Sequence, residues 1–374
     1  MAGNGQLGPY PMEKLKQIEK PTTRITENIQ RVDEREHAFN RAGRGDFGPL
    51  VAREKERFGT KHPLAAALKY MTDYLAPVVD GEVAQSKAPI QEDPEVSSHH
   101  IKKLGYFLRA DIIGICRLPQ YAIYSHDKNG IPVELNHKFA IVILVDQDYK
   151  TMDGASGRDW IANTQSYQSY SATAYISCAM ANYIRRLGYP ARAHHARNYQ
   201  VLIPPLLLLA GMGEMCRIGT AVLNPFLGVR FKAAAVTTDL PMLPDKPIDF
   251  GLQEFCQKCG KCAANCPAGA VSTGDTVMHN GYEVWKPNEE KCTKFFIANQ
   301  DGSGCNRCIK VCPWNKPQVW THDMIRWMAM HTPWLDKFLI KMDDVMGYGK
   351  QQQKNKWWFD LEEVDGVLRV PRKK

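Results

Sequence analysis

Cys256-Gln257-Lys258-Cys259-Gly260-Lys261-Cys262-Ala263-Ala264-Asn265-Cys266-Pro267 decides how its region folds and what chemistry the chain performs. Its spacing, C-x2-C-x2-C-x3-C-P, is one that ligates cubane iron–sulfur clusters. A second run, Cys305-Asn306-Arg307-Cys308-Ile309-Lys310-Val311-Cys312-Pro313, ends on the same Cys-Pro pair. Two-residue gaps let one tight loop offer three sulfurs to one cube, while the cysteine ahead of the proline reaches the partner cube. The expected sets are Cys256, Cys259, Cys262 and Cys312 for one cluster, and Cys266, Cys305 and Cys308 plus one more sulfur for the other. Cys292 is the only cysteine left between the runs and takes that place. Zinc sites favour two C-x2-C pairs, and disulfides give no reason for repeated Cys-Pro. Cys116, Cys178 and Cys216 have apolar neighbours and read as core packing.

A chain of 374 residues buries a sizeable core and suits two or three lobes. Lys and Arg number 48 against 40 acidic residues, a formal charge of +8. Each oxidised cube with its four thiolates brings about −2, so the loaded protein is only modestly basic. The basic residues are scattered, with a short tail at Arg369, Arg372, Lys373 and Lys374. Without a basic stripe interleaved with aromatics, no nucleic-acid partner is expected. Met1–Lys20 carries neither a signal-peptide nor a twin-arginine pattern, which suits a cytosolic chain or a mature form freed of its leader. Val201–Met215 is the longest apolar stretch, is interrupted by Pro204 and Pro205, and is too short for a bilayer. It reads as buried core, so membrane contact would come through a partner.

Residues 1–60 are polar and read as an arm around a larger body, with Gly43, Gly45 and Gly48 marking turns. His62–Ala76 is expected to be helical, with Pro63 in its first turn and Pro77 ending it. Ala84–Pro94 is a polar connector. Ile101–Ala110 reads as a helix, Asp111–Cys116 as a short strand and Phe139–Val145 as a buried strand. Ser171–Leu187 is the clearest helix, with Ala172, Ile176, Ala179, Tyr183 and Leu187 on its apolar face and Gly188 at its end. Tyr199–Ile203 and Arg230–Val236 read as further strands. The alternation gives an α/β (α+β) lobe. The expected divisions are 1–94 (arm and helical region), 95–250 (main lobe), 251–317 (inserted two-cluster module) and 318–374. The last is an indole-rich tail, with Trp320, Trp327, Trp334, Trp357 and Trp358, expected to pack back on the body.

Several stretches resemble the reductive dehalogenases. They are Asp33-Glu34-Arg35 with Phe39-Asn40-Arg41-Ala42, Tyr170-Ser171, Tyr183-Ile184-Arg185-Arg186-Leu187-Gly188-Tyr189, and Ala210-Gly211-Met212-Gly213-Glu214 with Arg217. Thr237-Thr238-Asp239-Leu240-Pro241 follows, then Asp245-Lys246-Pro247-Ile248-Asp249-Phe250-Gly251 into the first cysteine run. The resemblance implies a nitroreductase-like corrinoid-binding lobe with an inserted bacterial ferredoxin-like module of two [4Fe–4S] clusters. It also implies a cobalamin or other corrinoid held base-off and reductive removal of halide from a small organohalide. The D-x-H-x-x-G corrinoid motif is absent from the sequence, which suits a family that needs no lower histidine. His194 and His195 read as a polar loop pair beside Arg192 and Arg197 rather than cobalt ligands.

By this resemblance Tyr170 is the proton donor, just ahead of its helix, and Arg230 the cation that stabilises the phenolate. Lys232 shares Arg230's face by the two-residue strand period and is the fallback. Asn198 matches a position that orients the pocket. Glu214 and Arg217 read as a structural ion pair, and Trp314 as a shield for a cluster. The implied partners are an electron-donor protein or a quinol-linked membrane anchor, and a homodimer is allowed. The implied location is the extracytoplasmic face of the cell membrane, with the cytoplasm as alternative. Two other readings compete. One is an epoxyqueuosine reductase, a tRNA-modifying relative that uses an acidic residue at the place of Tyr170. The other is a two-cluster electron carrier without catalysis.

Overall fold

The structure is a computed structural model and describes residues 7–89, 93–155, 157, 160–299, 304–356, 362–364 and 367–369. Trp357, Trp358, Arg372, Lys373 and Lys374 lie outside the described residues. The polar N-terminal stretch does wrap the body. Gln17 bridges Ile248 and Ile25 bridges Tyr282. Arg31 donates to the carbonyls of Ile123, Tyr124 and Val133 at 3.1, 2.6 and 2.7 Å. The arm also carries helices α1 (Ala38–Arg44) and α2 (Pro49–Arg57); Ala42 and Val51 from them and Phe47 from the turn between form a small core with Phe58 and Ile297. Helix α3 (Pro63–Tyr74) opens on Pro63, where a missing N–H goes unused. The Asp93 carboxylate caps α4 (Pro94–Phe107) by accepting from the Glu95 and Val96 amides.

Strands β1 (Ile112–Arg117) and β2 (Phe139–Asp146) lead to α5 (Tyr149–Gly154), the long α6 (Ile161–Arg186), β3 (Ala191–His194) and α7 (Ile203–Leu209). A two-stranded ladder, β4 (Glu214–Met215) with β5 (Val222–Leu223), precedes β6 (Phe231–Thr238). The main sheet runs β1-β2-β6-β3 with every pairing antiparallel, so the lobe is α+β in its connectivity. Alternate side chains take opposite faces. Ile113, Ile115, Ile141, Ile143 and Val236 pack with Ile176, Met180 and Ile184 of α6. Ile112, Cys116, Ala140, Val142, Leu144 and Ala235 pack with Leu206, Leu207 and Leu208 of α7. Burial on both faces is why β2 reads as an unbroken apolar run.

Two local expectations are corrected. The helix expected from Ser171 begins ten residues earlier at Ile161, and Tyr170 lies inside it. Its first turns are polar but buried, so no apolar stripe announces them. Asn163 donates to the Phe58 carbonyl, Gln165 to Asp148, Ser166 to Ala162 and Ser169 to Asp146. The strand expected over Tyr199–Ile203 reduces to one bridge between Val201 and Ile123. Ile203 instead starts α7, because Pro204 and Pro205 tolerate a helical first turn.

The cluster module holds α8 (Leu252–Cys259), α9 (Lys261–Ala264), the hairpin β7 (Val277–His279) and β8 (Tyr282–Val284), α10 (Glu289–Ala298) and α11 (Arg307–Lys310). Then come α12 (Trp320–His331), α13 (Asp336–Val345), β9 (Glu362–Val364) and β10 (Val367–Arg369). Ala329, Met330 and Ile340 of the tail pack against Phe250, Phe255 and Trp314, so the tail does return to the body. Its three described indoles do not: Trp320, Trp327 and Trp334 are 76%, 57% and 75% exposed. The smaller aliphatic positions make the contact, and the indoles occupy the outer faces.

Candidate active site and cluster sites

Helix α6 carries Tyr170 at a half-buried position, and β6 carries Lys232 opposite it. The Lys232 ammonium lies 4.9 Å from the centre of the Tyr170 ring. Among the described residues Lys232 forms no salt bridge, so its charge is not neutralised by a carboxylate. Tyr167 meets Tyr170 edge-on at 6.3 Å, and burial pushes its phenol up to about 12. Tyr199 donates to the Ala233 carbonyl at 2.8 Å, which fixes the strand beside Lys232.

Arg230 is placed elsewhere than expected. It immediately precedes β6 and is 1% exposed. It binds both oxygens of Asp146 at 2.8 and 3.1 Å and donates to Asn315 at 2.5 Å, with its guanidinium 5.4 Å from the Tyr149 ring. Every face of the guanidinium is engaged, so Lys232 and not Arg230 is the cation at Tyr170. Asn198 is likewise tied into the framework: its oxygen accepts from Arg192 at 2.7 Å and its amide donates to Ala76 at 3.0 Å. Asn198 thus shapes the loop after β3 rather than offering a free polar group. His194 is bonded through Arg192 and Thr237. His195 uses Nε2 on the Leu75 carbonyl at 3.3 Å, and burial pulls it down to about 4.

The cysteines of the module lie near one another. Cys312 interacts electrostatically with Cys256, Cys259 and Cys262. A pocket is lined by those four thiols together with Cys216, Arg217, Phe255 and Trp314. Cys292, on α10, interacts with Cys305 and Cys266, and Cys308 with Cys305, Cys292, Cys262 and Cys266. The Cys266 sulfur also accepts from the Ala270 amide at 3.2 Å. Four thiols around the pocket, bound as thiolates, are the donor chemistry a cube requires. Trp314 is 5% exposed and meets Phe250 and Phe255 edge-on at 5.1 and 5.5 Å, closing the first site from water. Cys216 belongs to the wall of that site; only its chain position before Arg217 hinted at this.

Glu214 and Arg217 do not pair. Glu214 accepts from Thr22, Phe250 and Leu252, tying the arm to the entry of the cluster module. Arg217 donates to the carbonyls of Cys256, Gln257, Ser272 and Gly274 and covers the Trp285 ring at 4.9 Å. Gly219 makes that bend possible: its φ is +91°, and a Cβ there would stand 1.9 Å from the Trp285 carbonyl oxygen.

Fold and site together give a cysteine-rich module beside an α+β lobe that carries a tyrosine–lysine pair. A family model for the 4Fe-4S dicluster domain matches residues 255–316. The tetrachloroethene reductive dehalogenase of Dehalobacter restrictus is 36% identical over 309 residues, 69% of this chain and 55% of that enzyme. The catabolic reductive dehalogenase NpRdhA, solved in complex with 3-bromo-4-hydroxybenzoic acid, superposes with a TM-score of 0.93 at 44% identity. That match covers 97% of this chain and 53% of NpRdhA. A reductive dehalogenase structure described as pointing to B12-dependent dehalogenation matches to the same degree. The epoxyqueuosine reductase of Salmonella typhimurium is 27% identical over 149 residues, 36% of this chain. The chain belongs to the reductive dehalogenase family, and it spans about half the length of the dehalogenases it matches.

Proposed function

We propose that the chain removes halide reductively from a small organohalide, with two [4Fe–4S] clusters feeding a base-off corrinoid. The observation that carries this reading is the Tyr170–Lys232 pair in a chain that superposes along almost its whole length on B12-dependent relatives. A corrinoid bound here would take no ligand from His194, whose two ring nitrogens are bonded to Arg192 and Thr237. Tyr170 and Lys232, both half-buried, are where the chain would meet it. When bound, the corrinoid supplies a low-valent metal able to attack a carbon–halogen bond.

Reductive loss of halide takes two electrons and one proton, and a cube passes one electron at a time. Two cubes in one module suit that stoichiometry. The proton comes from the Tyr170 hydroxyl, and a phenol gives its proton up more readily when the phenolate is stabilised. Lys232 provides that stabilisation as a neighbouring positive charge. Positioned proton transfer of this kind contributes about 10²–10⁴-fold to rate.

Similarity to NpRdhA favours a halogenated phenol as substrate over a chlorinated ethene. The electron source we infer is a donor protein or a quinol-linked anchor at the extracytoplasmic face of the membrane. The exposed indoles of α12 and the turn after it support contact with such an apolar neighbour. The test is anaerobic protein, reconstituted with clusters and cobalamin and driven by reduced viologen, assayed for halide release. Brominated and chlorinated phenols, ethenes, ethanes and methanes make the panel. Release from at least one class is expected. Clusters without cobalamin binding would instead favour an electron carrier.

A further inference from the structure

We propose that Arg217 sets the reduction potential of the cluster held by Cys256, Cys259, Cys262 and Cys312. The inference rests on the cluster assignment and not on the organohalide reading. Arg217 is 5% exposed and lines the same cavity as those four thiols. It donates to the carbonyl of Cys256, itself a ligand, at 3.0 Å. What distinguishes it is the absence of a counter-charge.

Three lysines near the same loops are ion-paired. Lys258 bonds Glu254 and Asp336, Lys261 bonds Asp343 and Asp344, and Lys316 bonds Asp343 at 2.5 Å. Arg217 has only carbonyl partners and the face of Trp285, and among the described residues it forms no salt bridge. A guanidinium keeps its proton under any condition in which the protein folds, so a full positive charge remains beside the sulfurs. Reduction adds one electron to the cube, and the added negative charge is stabilised by a fixed cation nearby. Net charge and its surroundings are among the levers that place cluster potentials. Arg217 therefore raises this cluster's potential relative to the same cube without it and helps fix the direction in which electrons run between the two.

The test is a potentiometric titration of the full chain, reconstituted anaerobically with iron and sulfide and followed by electron paramagnetic resonance. Arg217→Gln should lower one of the two midpoints and leave the other in place. At the wild-type midpoint the reduced-to-oxidised ratio should fall about tenfold, 59 mV for a one-electron couple. Arg217→Lys, which keeps the charge, should stay near wild type. Loss of the guanidinium also frees carbonyls that hold the loop, so a second variant leaves Arg217 intact. Ser272→Asp introduces a carboxylate on a residue whose carbonyl Arg217 already binds at 3.2 Å, and should lower the same midpoint. Unchanged midpoints in both Arg217→Gln and Ser272→Asp would overturn the proposal, as would Arg217→Lys falling as far as Arg217→Gln. If Arg217→Gln fails to hold a cluster, Ser272→Asp alone decides. A protein that releases no halide at all would still show the shift.

Discussion

Lys232 holds its ammonium 4.9 Å from the centre of the Tyr170 ring, while Arg230, two residues earlier, is closed in a two-point contact with Asp146. Two cations on one short stretch thus have different work. The first leaves its charge facing a phenol, and the second fastens the start of β6 to the end of β2 and to Asn315 beyond the last cysteine.

Lys232→Gln should therefore depress halide release by about 10²-fold or more with little change in unfolding midpoint. Paired activity and thermal-unfolding measurements check this. Near-normal turnover in Lys232→Gln would remove the lysine from the proposed site.

Arg230→Met should act the opposite way. It leaves Asp146 without its partner at a position where the arginine is 1% exposed. Breaking a buried pair costs about 3–5 kcal/mol, and the low end applies because the Asp146 side chain keeps 27% of its exposure. The expected result is a clear fall in unfolding midpoint, with activity lost in proportion to folded protein.

Asp111 gives the stability a pH dependence. Burial, with the Asp146 charge adding to it, pushes its carboxyl up from 3.8 to about 6. The folded chain then holds this proton more tightly than the unfolded chain. The group favours the fold below about pH 4, and that preference is lost as pH rises through about 6. Asp111→Asn keeps an acceptor for the Asp146 amide, which now bonds Asp111 at 2.8 Å, and removes the titration. At pH 7 it should be the more stable form, on the order of 2 kcal/mol, with the advantage shrinking toward pH 5. Thermal unfolding from pH 5 to 8 measures it; parallel curves for the two proteins would contradict the assignment.

Cys292→Ser should cost the second cluster while sparing the first, lowering bound iron by about four per chain. Cys216→Ser, in the wall of the first site but outside both sulfur sets, should keep both clusters. Iron and sulfide analysis with resonance spectra separates these outcomes.

Much of this architecture was legible because the physics was local. Cysteine spacing marked the two sulfur sets, and Phe139–Val145 showed its burial on both faces through continuous apolarity. The rest depended on tertiary partners. The first turns of α6 bury Asn163, Gln165, Ser166 and Ser169 against carbonyls of other segments, so their composition resembles a loop. Strand periodicity placed Arg230 and Lys232 on one face, yet only the fold shows which of them has Asp146 as a partner. The bond pattern of Arg217 is equally non-local, since its carbonyl partners lie 39 to 57 residues away.

The most direct measurement is halide release by Tyr170→Phe in protein whose clusters and bound cobalamin are confirmed spectroscopically in the same sample. The account predicts turnover lower by about 10²–10⁴-fold with both cluster signals unchanged. Wild-type release from that fully loaded variant would contradict Tyr170 as the proton source, and with it the site proposed for this chain.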